Sequence, residues 1–382
     1  MKQIGIITFH ASHNYGSVLQ AYALENIIIE LINCNCEIIN FAIPQQSEMY
    51  SLFNKNNTLK NICKNILTIL YKYKVRKSRI DSFNKFINYV LRLSDKKYIS
   101  ISQLEQDKLK YDTIICGSDQ IWNIDIKDFD YSYFLPFIKN VKKIAYAPSF
   151  GGDNPIRDVK TKSVITNYLK DFYALSVREN KGKKILKQLT SKEINVVLDP
   201  TLLLTSKDWD TICSDRIINK DYIFFYSIDY NKDVVTMVKK ISIKLNLPVI
   251  ILFTMTSTFK TIFSGFEVAK QESPSDFISL IKYARLVLSN SFHGNVFSII
   301  YRKPFYILRG TYNGKINTDN RLTTLLKKFN INNREININI IDSFNISLNM
   351  DYSDSEQYIE KERKKSIEYL LNSINGDYKN DM

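Results

Sequence analysis

Histidine is scarce in this chain. There are three in 382 residues, at His10, His13 and His293. Any step that moves a proton through an imidazole near neutral pH must use one of those places. Cysteine is sparse as well. The five present form no C-x-x-C pair, which argues against a zinc ribbon or a disulfide framework and favours a reduced, cytoplasmic setting. His10 and His13 are three apart, but their loop offers no obvious third ligand, so no metal site is expected. No apolar run approaches the length that spans a bilayer. The start of the chain lacks the basic region, apolar core and small-residue cleavage site of an export signal, and residues 3–9 already read as a strand. A protein that is soluble, or peripheral at the inner face of a membrane, is the expectation. No internal repeat stands out.

What is present suffices for two domains. The chain is 45% hydrophobic and 13% aromatic, ample for two cores. The net charge of +14 is concentrated between Lys55 and Lys97, where twelve Lys and Arg face only Asp81 and Asp95. Within that stretch Leu59, Ile62, Cys63, Ile66, Leu67, Leu70 and Tyr73 follow helical spacing, and so do Phe83, Phe86, Ile87, Val90 and Leu91. Two basic amphipathic helices are predicted. One reading is a solvated face whose apolar stripe joins the core. The other is a dock for an anionic membrane surface or a pyrophosphate-linked substrate. No recognised nucleic-acid module accompanies the charge, so nucleic acid is not an expected partner.

The periodicity alternates between strand and helix. Residues 3–9, 37–41, 113–116, 143–147, 174–177 and 195–198 read as strands, with a helix over 16–32. Four of these strands end in polar or Gly/Pro loops: Gly117-Ser118-Asp119-Gln120, Pro148-Ser149-Phe150-Gly151, Arg178-Glu179-Asn180 and Asp199-Pro200-Thr201. That pattern marks a parallel sheet with its working loops along one edge. A second series follows, with strands at 222–227, 248–253, 286–289 and 304–308. Ser273-Pro274-Ser275-Asp276 opens one of its helices, and 353–374 reads as a charged amphipathic helix. The fold class is α/β, two Rossmann-like domains facing a central cleft. The expected boundaries are 1–205, with the basic insertion at about 50–100, then 206–345, with 350–382 as a helix packing back across the domains.

Ser291-Phe292-His293-Gly294 lies where the strand at 286–289 hands over to an apolar helix. A histidine there sits at the carboxyl edge of a sheet, beside a helix N-terminus that favours anions. It is either an acid/base or a capping or core histidine. Asn14, Tyr15 and Gly16 open the first helix, as a binding loop or simply a tight turn. Asp119, Gln120, Trp122 and Asn123 offer a carboxylate, amides and an indole on one loop, a mix suited to a sugar, although Asp119 could instead cap a helix. Asp128-Phe129-Asp130 and Asp208-Trp209-Asp210 match the D-x-D of metal-dependent sugar transferases, a spacing common by chance.

Several stretches, taken in order, resemble the polysaccharide pyruvyl transferase family. They are Asn14-Tyr15-Gly16-Ser17-Val18-Leu19-Gln20-Ala21-Tyr22-Ala23-Leu24, Cys116-Gly117-Ser118-Asp119-Gln120-Ile121-Trp122-Asn123, Tyr146-Ala147-Pro148-Ser149-Phe150-Gly151 and Ser176-Val177-Arg178-Glu179-Asn180. Val197-Leu198-Asp199-Pro200-Thr201, Ser291-Phe292-His293-Gly294 and Arg302-Lys303-Pro304-Phe305 complete the set. The resemblance implies a fold like the two-domain GT-B glycosyltransferases. It implies a reaction in which phosphoenolpyruvate, as co-substrate with no other cofactor, gives its three-carbon unit to two hydroxyls of a glycan or lipid-linked glycan precursor. The product is a cyclic ketal, and phosphate is released. Arg178 and His293 map onto the family's functional pair, with Arg178, Ser291, Gly294 and Asn295 expected on the donor. Ion pairing of Arg178 with Glu179 or Asp199 is its structural alternative. Some members have Arg-Leu-His-Gly where this chain has Ser291-Phe292-His293-Gly294, and an acid is expected in others at Asn290. The rival functions are a nucleotide-sugar glycosyltransferase on the same fold and a non-catalytic glycan- or anion-binding protein.

Overall fold

The computed structural model describes residues 1–53, 58, 61–62, 65–66, 69, 73–151, 154–227, 231–252, 264–312, 315–316, 320–331 and 333–376. Its first strand, β1 (Gln3–Ile7), is buried along almost its whole length, as expected of a parallel strand covered on both faces. β2 (Asn35–Ile38), β3 (Thr113–Cys116), β4 (Lys142–Ala145), β5 (Phe172–Val177) and β6 (Ile194–Val196) join it in an all-parallel sheet of order β2-β1-β3-β4-β5-β6. The helix Tyr15–Ile32 crosses from β1 to β2. Asn14 caps it, accepting from the N–H groups of Gly16 and Ser17, and Asn33 ends it in the left-handed region.

The second sheet contains β7 (Ile223–Tyr226), β8 (Val249–Ile251), β9 (Glu267–Val268), β10 (Leu286–Ser289), β11 (Phe305–Arg309) and β14 (Glu335–Asn337). Between the last two lies the small hairpin β12 (Thr311–Tyr312) and β13 (Lys315–Ile316). The sheet order is β14-β11-β10-β7-β8-β9, again all parallel. In chain order this is the Rossmann arrangement, three strands wound one way from β7 and three the other way from β10. The helix Pro274–Lys282 starts with the capping box read from the sequence: Ser273 and Asp276 exchange side-chain and backbone bonds.

The chain divides into two compact units. Met1–Asn65, Phe83–Leu204 and the stretch from Lys361 on form the first; Ile66–Ser82 and Thr205–Glu360 form the second. The division passes through two helices, Tyr73–Tyr89 and Ser353–Asn375. The later part of the C-terminal helix holds on to the first unit: the Leu198 N–H donates to Ser366, and Tyr369 donates to the Ala145 carbonyl. Much of the first basic stretch read from the sequence, 59–73, lies outside the described residues. In the second, Phe83, Phe86 and Ile87 are buried. That apolar stripe joins a core. Among the described residues, no helix is long and apolar enough to cross a membrane.

Candidate functional site

In the first sheet the winding reverses between β1 and β3, and a crevice at such a point is where open α/β sheets take ligands. Two distant segments meet there. The Ser17 hydroxyl, on the first helix, donates to Asp119 Oδ2 at 2.5 Å. Gln20, one turn on, donates to Thr8 Oγ1 and accepts from the Ser118 N–H. The loop after β3 is thereby fixed to the helix after β1. Gly117 makes its conformation attainable. Its φ is +128°, and a Cβ there would lie 1.9 Å from the Tyr146 carbonyl oxygen, a position only glycine can occupy.

Arg178, directly after β5, is buried among carboxylates. Its Nη1 lies 2.9 Å from Asp199 Oδ2 and 4.0 Å from Asp119 Oδ1, and its Nε lies 3.5 Å from Glu179 Oε2. Burial alone works against the charge. Asp199, Glu179 and Asp119 outweigh it and raise the pKa of the guanidinium. Glu179 Oε1 is buried with no hydrogen-bond partner among the described residues, which is costly for a carboxylate oxygen and marks it as a group of interest. Sequence reasoning put Arg178 on the donor. Its alternative, ion pairing, is also present: three carboxylates stand around the one guanidinium.

The other first-unit residues separate into two groups. Asp119, in the left-handed region at φ 67°, is buried at the reversal point with Ser17. Gln120 and Asn123 are half-buried and bonded to each other, Asn123 Nδ2 donating to Gln120 Oε1 at 3.0 Å. Asn14 is exposed and caps the helix, and Gly16 supplies one of the N–H groups it accepts from. Tyr15 is buried against Phe83. Trp122 corrects the expectation of a sugar platform. It is wholly buried, stacks on Phe134 at 4.9 Å, and donates its indole N–H to the Tyr133 carbonyl. Gln120 and Asn123 stay half-buried, but the largest apolar side chain of the loop is drawn into the core. The two D-x-D stretches are also structural. Asp130 caps the turn at 131–134, Asp208 forms a capping box with Thr205, and Asp210 pairs with Lys282. Among the described residues, no group of three or more His, Cys, Asp or Glu is placed to hold a metal ion.

The second unit has its own reversal point, between β7 and β10, and His293 stands there. Ser291 caps the helix Phe292–Ile300, accepting from the Gly294 N–H. His293 is buried in the first turn. Asn295 is fully buried; its Nδ2 donates to the Ser291 carbonyl at 2.7 Å, and its Oδ1 has no partner among the described residues. Gly294 permits a close approach. A Cβ there would lie 2.5 Å from Ser289 Oγ and 3.2 Å from the Tyr226 ring. Ser289 Oγ is already engaged, donating to the Tyr226 carbonyl and accepting from the Ser291 N–H. An imidazole is thus held at the positive end of a helix, at the carboxyl edge of a parallel sheet. Arg178 and His293 belong to different units. Ser17, Glu179 and Asp199 were not singled out as site residues from sequence. Glu179 and Asp199 carried a usable signal, an acid in the loop that follows a strand.

Among solved structures, the chain is similar to a Staphylococcus aureus MnaA–UDP complex, with a TM-score of 0.58, 12% identity, and 98% of this chain and 97% of that one covered. It is also similar to the UDP-GlcNAc 2-epimerase of Methanocaldococcus jannaschii, at a TM-score of 0.55, 13% identity and 96% and 99% coverage. At such identities the likeness is one of fold. No curated protein matches the chain. The family model for polysaccharide pyruvyl transferase matches residues 14–311 and so spans both the Asp119–Arg178 edge and the His293 edge. The chain belongs to the polysaccharide pyruvyl transferase family.

Proposed function

We propose that this transferase moves the pyruvyl unit of phosphoenolpyruvate onto two hydroxyls of a glycan or lipid-linked glycan precursor as a cyclic ketal. The observation that carries the reading is the placement of His293: a proton-transferring ring in the first turn of a helix whose N-terminus favours anions. Both requirements of the donor, a bound anion and a delivered proton, are then met at one sheet edge.

In this reading, protonated His293 gives its proton to the donor's methylene carbon, and positive character develops at the adjacent carbon. One acceptor hydroxyl attacks that carbon. The carbon–oxygen bond to phosphate breaks, and the second hydroxyl closes the ketal. Of the two hydroxyl protons, one replaces that given up by His293 and the other leaves with phosphate. Asp119, held by Ser17, and Glu179 are the carboxylates of the first unit that we assign to binding the acceptor's hydroxyls. Arg178 is a positioning residue that holds these acids. Gln120 and Asn123 are the acceptor's polar contacts. The exposed Lys74, Lys77 and Lys85 support an anionic membrane surface as a further partner; flotation with anionic vesicles tests that, and unchanged binding after their replacement removes it.

The test is thermal unfolding with millimolar phosphoenolpyruvate or UDP-GlcNAc, on the native chain and on His293→Ala. A ligand held only by the folded state raises the midpoint. A rise with phosphoenolpyruvate that shrinks in the variant supports the reading. A rise with UDP-GlcNAc alone would replace it with nucleotide-sugar chemistry.

A further inference from the structure

The helix Tyr73–Tyr89 carries its charges unevenly. Lys74, Lys77 and Lys85 are exposed, whereas Arg79 is buried, and Arg76, one turn earlier on the same face, is half-buried. Both arginines fall in Ile66–Ser82, the stretch that groups with the second unit. Arg79 pairs with Glu272, Nη1 to Oε2, at 3.3 Å, with the side chains only 11% and 5% exposed. That contact is longer than the roughly 2.7–2.9 Å of a tight charge-assisted bond. Glu272 immediately precedes Ser273, the cap of the helix Pro274–Lys282, and that helix packs against the His293 helix.

A chain of contacts leads from Arg79 to the His293 edge, all within the second unit. Arg79 holds Glu272, next to the cap of the Pro274–Lys282 helix, and Phe277 in that helix sets its ring 5.0 Å from the Tyr226 ring and 5.9 Å from Phe297 of the His293 helix. The Tyr226 ring lies against Gly294. Ser291 caps the helix whose first turn holds His293. Desolvating a guanidinium and a carboxylate together is expensive, and an apolar pair of similar volume would pack as well. A buried cation beside a helix N-terminus has a use that an apolar pair lacks: its planar fork matches a phosphate or carboxylate.

We propose that Arg79 is a ligand-binding residue of the His293 edge, taking an anionic phosphate or carboxylate group of the molecule on which His293 acts. The proposal rests on the reading of that edge as the donor site. Glu272 holds the guanidinium in place. The basic helix thereby serves the second unit as the carrier of a binding cation.

Calorimetric titration tests this with two probes, phosphoenolpyruvate and UDP, added separately. The proteins are the native chain, Arg79→Gln, Arg79→Lys and the double variant Arg79→Gln/Glu272→Gln. The double variant removes both buried charges, so it folds even where the single variant suffers from the Glu272 charge left behind. The expected result is binding of phosphoenolpyruvate by the native chain and a loss of about 10- to 100-fold in Arg79→Gln, the range of a hydrogen bond to a charged group. Arg79→Lys recovers part of it, and the double variant stays weak. Binding within two-fold of native in the double variant would overturn the proposal and leave Arg79 a structural ion pair. If UDP binds instead and the loss persists, Arg79 keeps its role while the pyruvyl-transfer reading falls. If the native chain binds neither probe, both fall.

Discussion

Ser17 and Asp119 are 102 residues apart in sequence and 2.5 Å apart in the folded chain, the hydroxyl donating to the carboxylate in a buried setting. The contact joins the first helix to the loop after β3 and sets the acid that we assign to an acceptor hydroxyl. Ser17→Ala should cost about 1.5–3 kcal/mol, as for a hydrogen bond to a charged group, and lower turnover by about tenfold or more through a displaced Asp119. Urea unfolding and a turnover assay check the two effects. Unaltered turnover in a destabilised variant would separate Ser17 from the site.

Arg178 is surrounded by Asp199, Glu179 and Asp119. Removing the guanidinium leaves buried acids without their counter-charge. Arg178→Met is therefore expected to lose about 3–5 kcal/mol of stability, measured as a lower urea midpoint. Arg178→Lys keeps the charge and should lose less. A methionine variant within about 1 kcal/mol of native would show that the ion pairs are not what holds this edge.

Glu25 gives a prediction in pH. Burial raises its pKa from the ordinary 4.5 to about 8, against the opposing hydrogen bond from the Arg92 N–H. The folded chain therefore holds a proton on Glu25 at neutral pH that the unfolded chain has released. Stability from this group is fully present below about pH 4.5 and is lost as pH rises to about 8. The loss is on the order of 5 kcal/mol at most. Glu25→Gln abolishes the titration, so its midpoint should gain on the native one steadily between pH 5 and pH 8. Parallel pH profiles for the two proteins would contradict this.

Gly294→Ala tests the close approach at the His293 helix. The new methyl would lie 2.5 Å from Ser289 Oγ, which is bonded on both sides, and 3.2 Å from the Tyr226 ring. Overpacking of this kind costs about 1–3 kcal/mol, and the shift passes to Ser291 and His293. A lower melting temperature together with weaker donor binding is expected. Full binding would mean that the helix start tolerates the displacement.

The strands before each loop motif were legible because buried parallel strands read as short apolar runs, and the Ser273 cap because capping is a local arrangement. Three features were not. Trp122 shares a loop with polar site residues, and only the packed core reveals that its ring turns inward. β9 and β14 are two and three residues long, too short for a period to register. The partnership of Ser17 with Asp119, and of Arg79 with Glu272 across 193 positions, follows from chain topology and leaves no trace in local spacing. His293 stood out as a candidate because three histidines leave few alternatives. The role of the basic segment was not, since the same stripe suits a core or a membrane.

Transfer of a pyruvyl unit can be tested directly, without first identifying the acceptor. Phosphoenolpyruvate labelled in its carbon skeleton is incubated with the purified chain and with polysaccharide extracted from the source cells. The expected result is label on the polymer that mild acid releases as pyruvate, one phosphate freed per pyruvate attached, and none of either with His293→Ala. Phosphate release without label on the polymer, or undiminished labelling by the variant, would contradict pyruvyl transfer through His293.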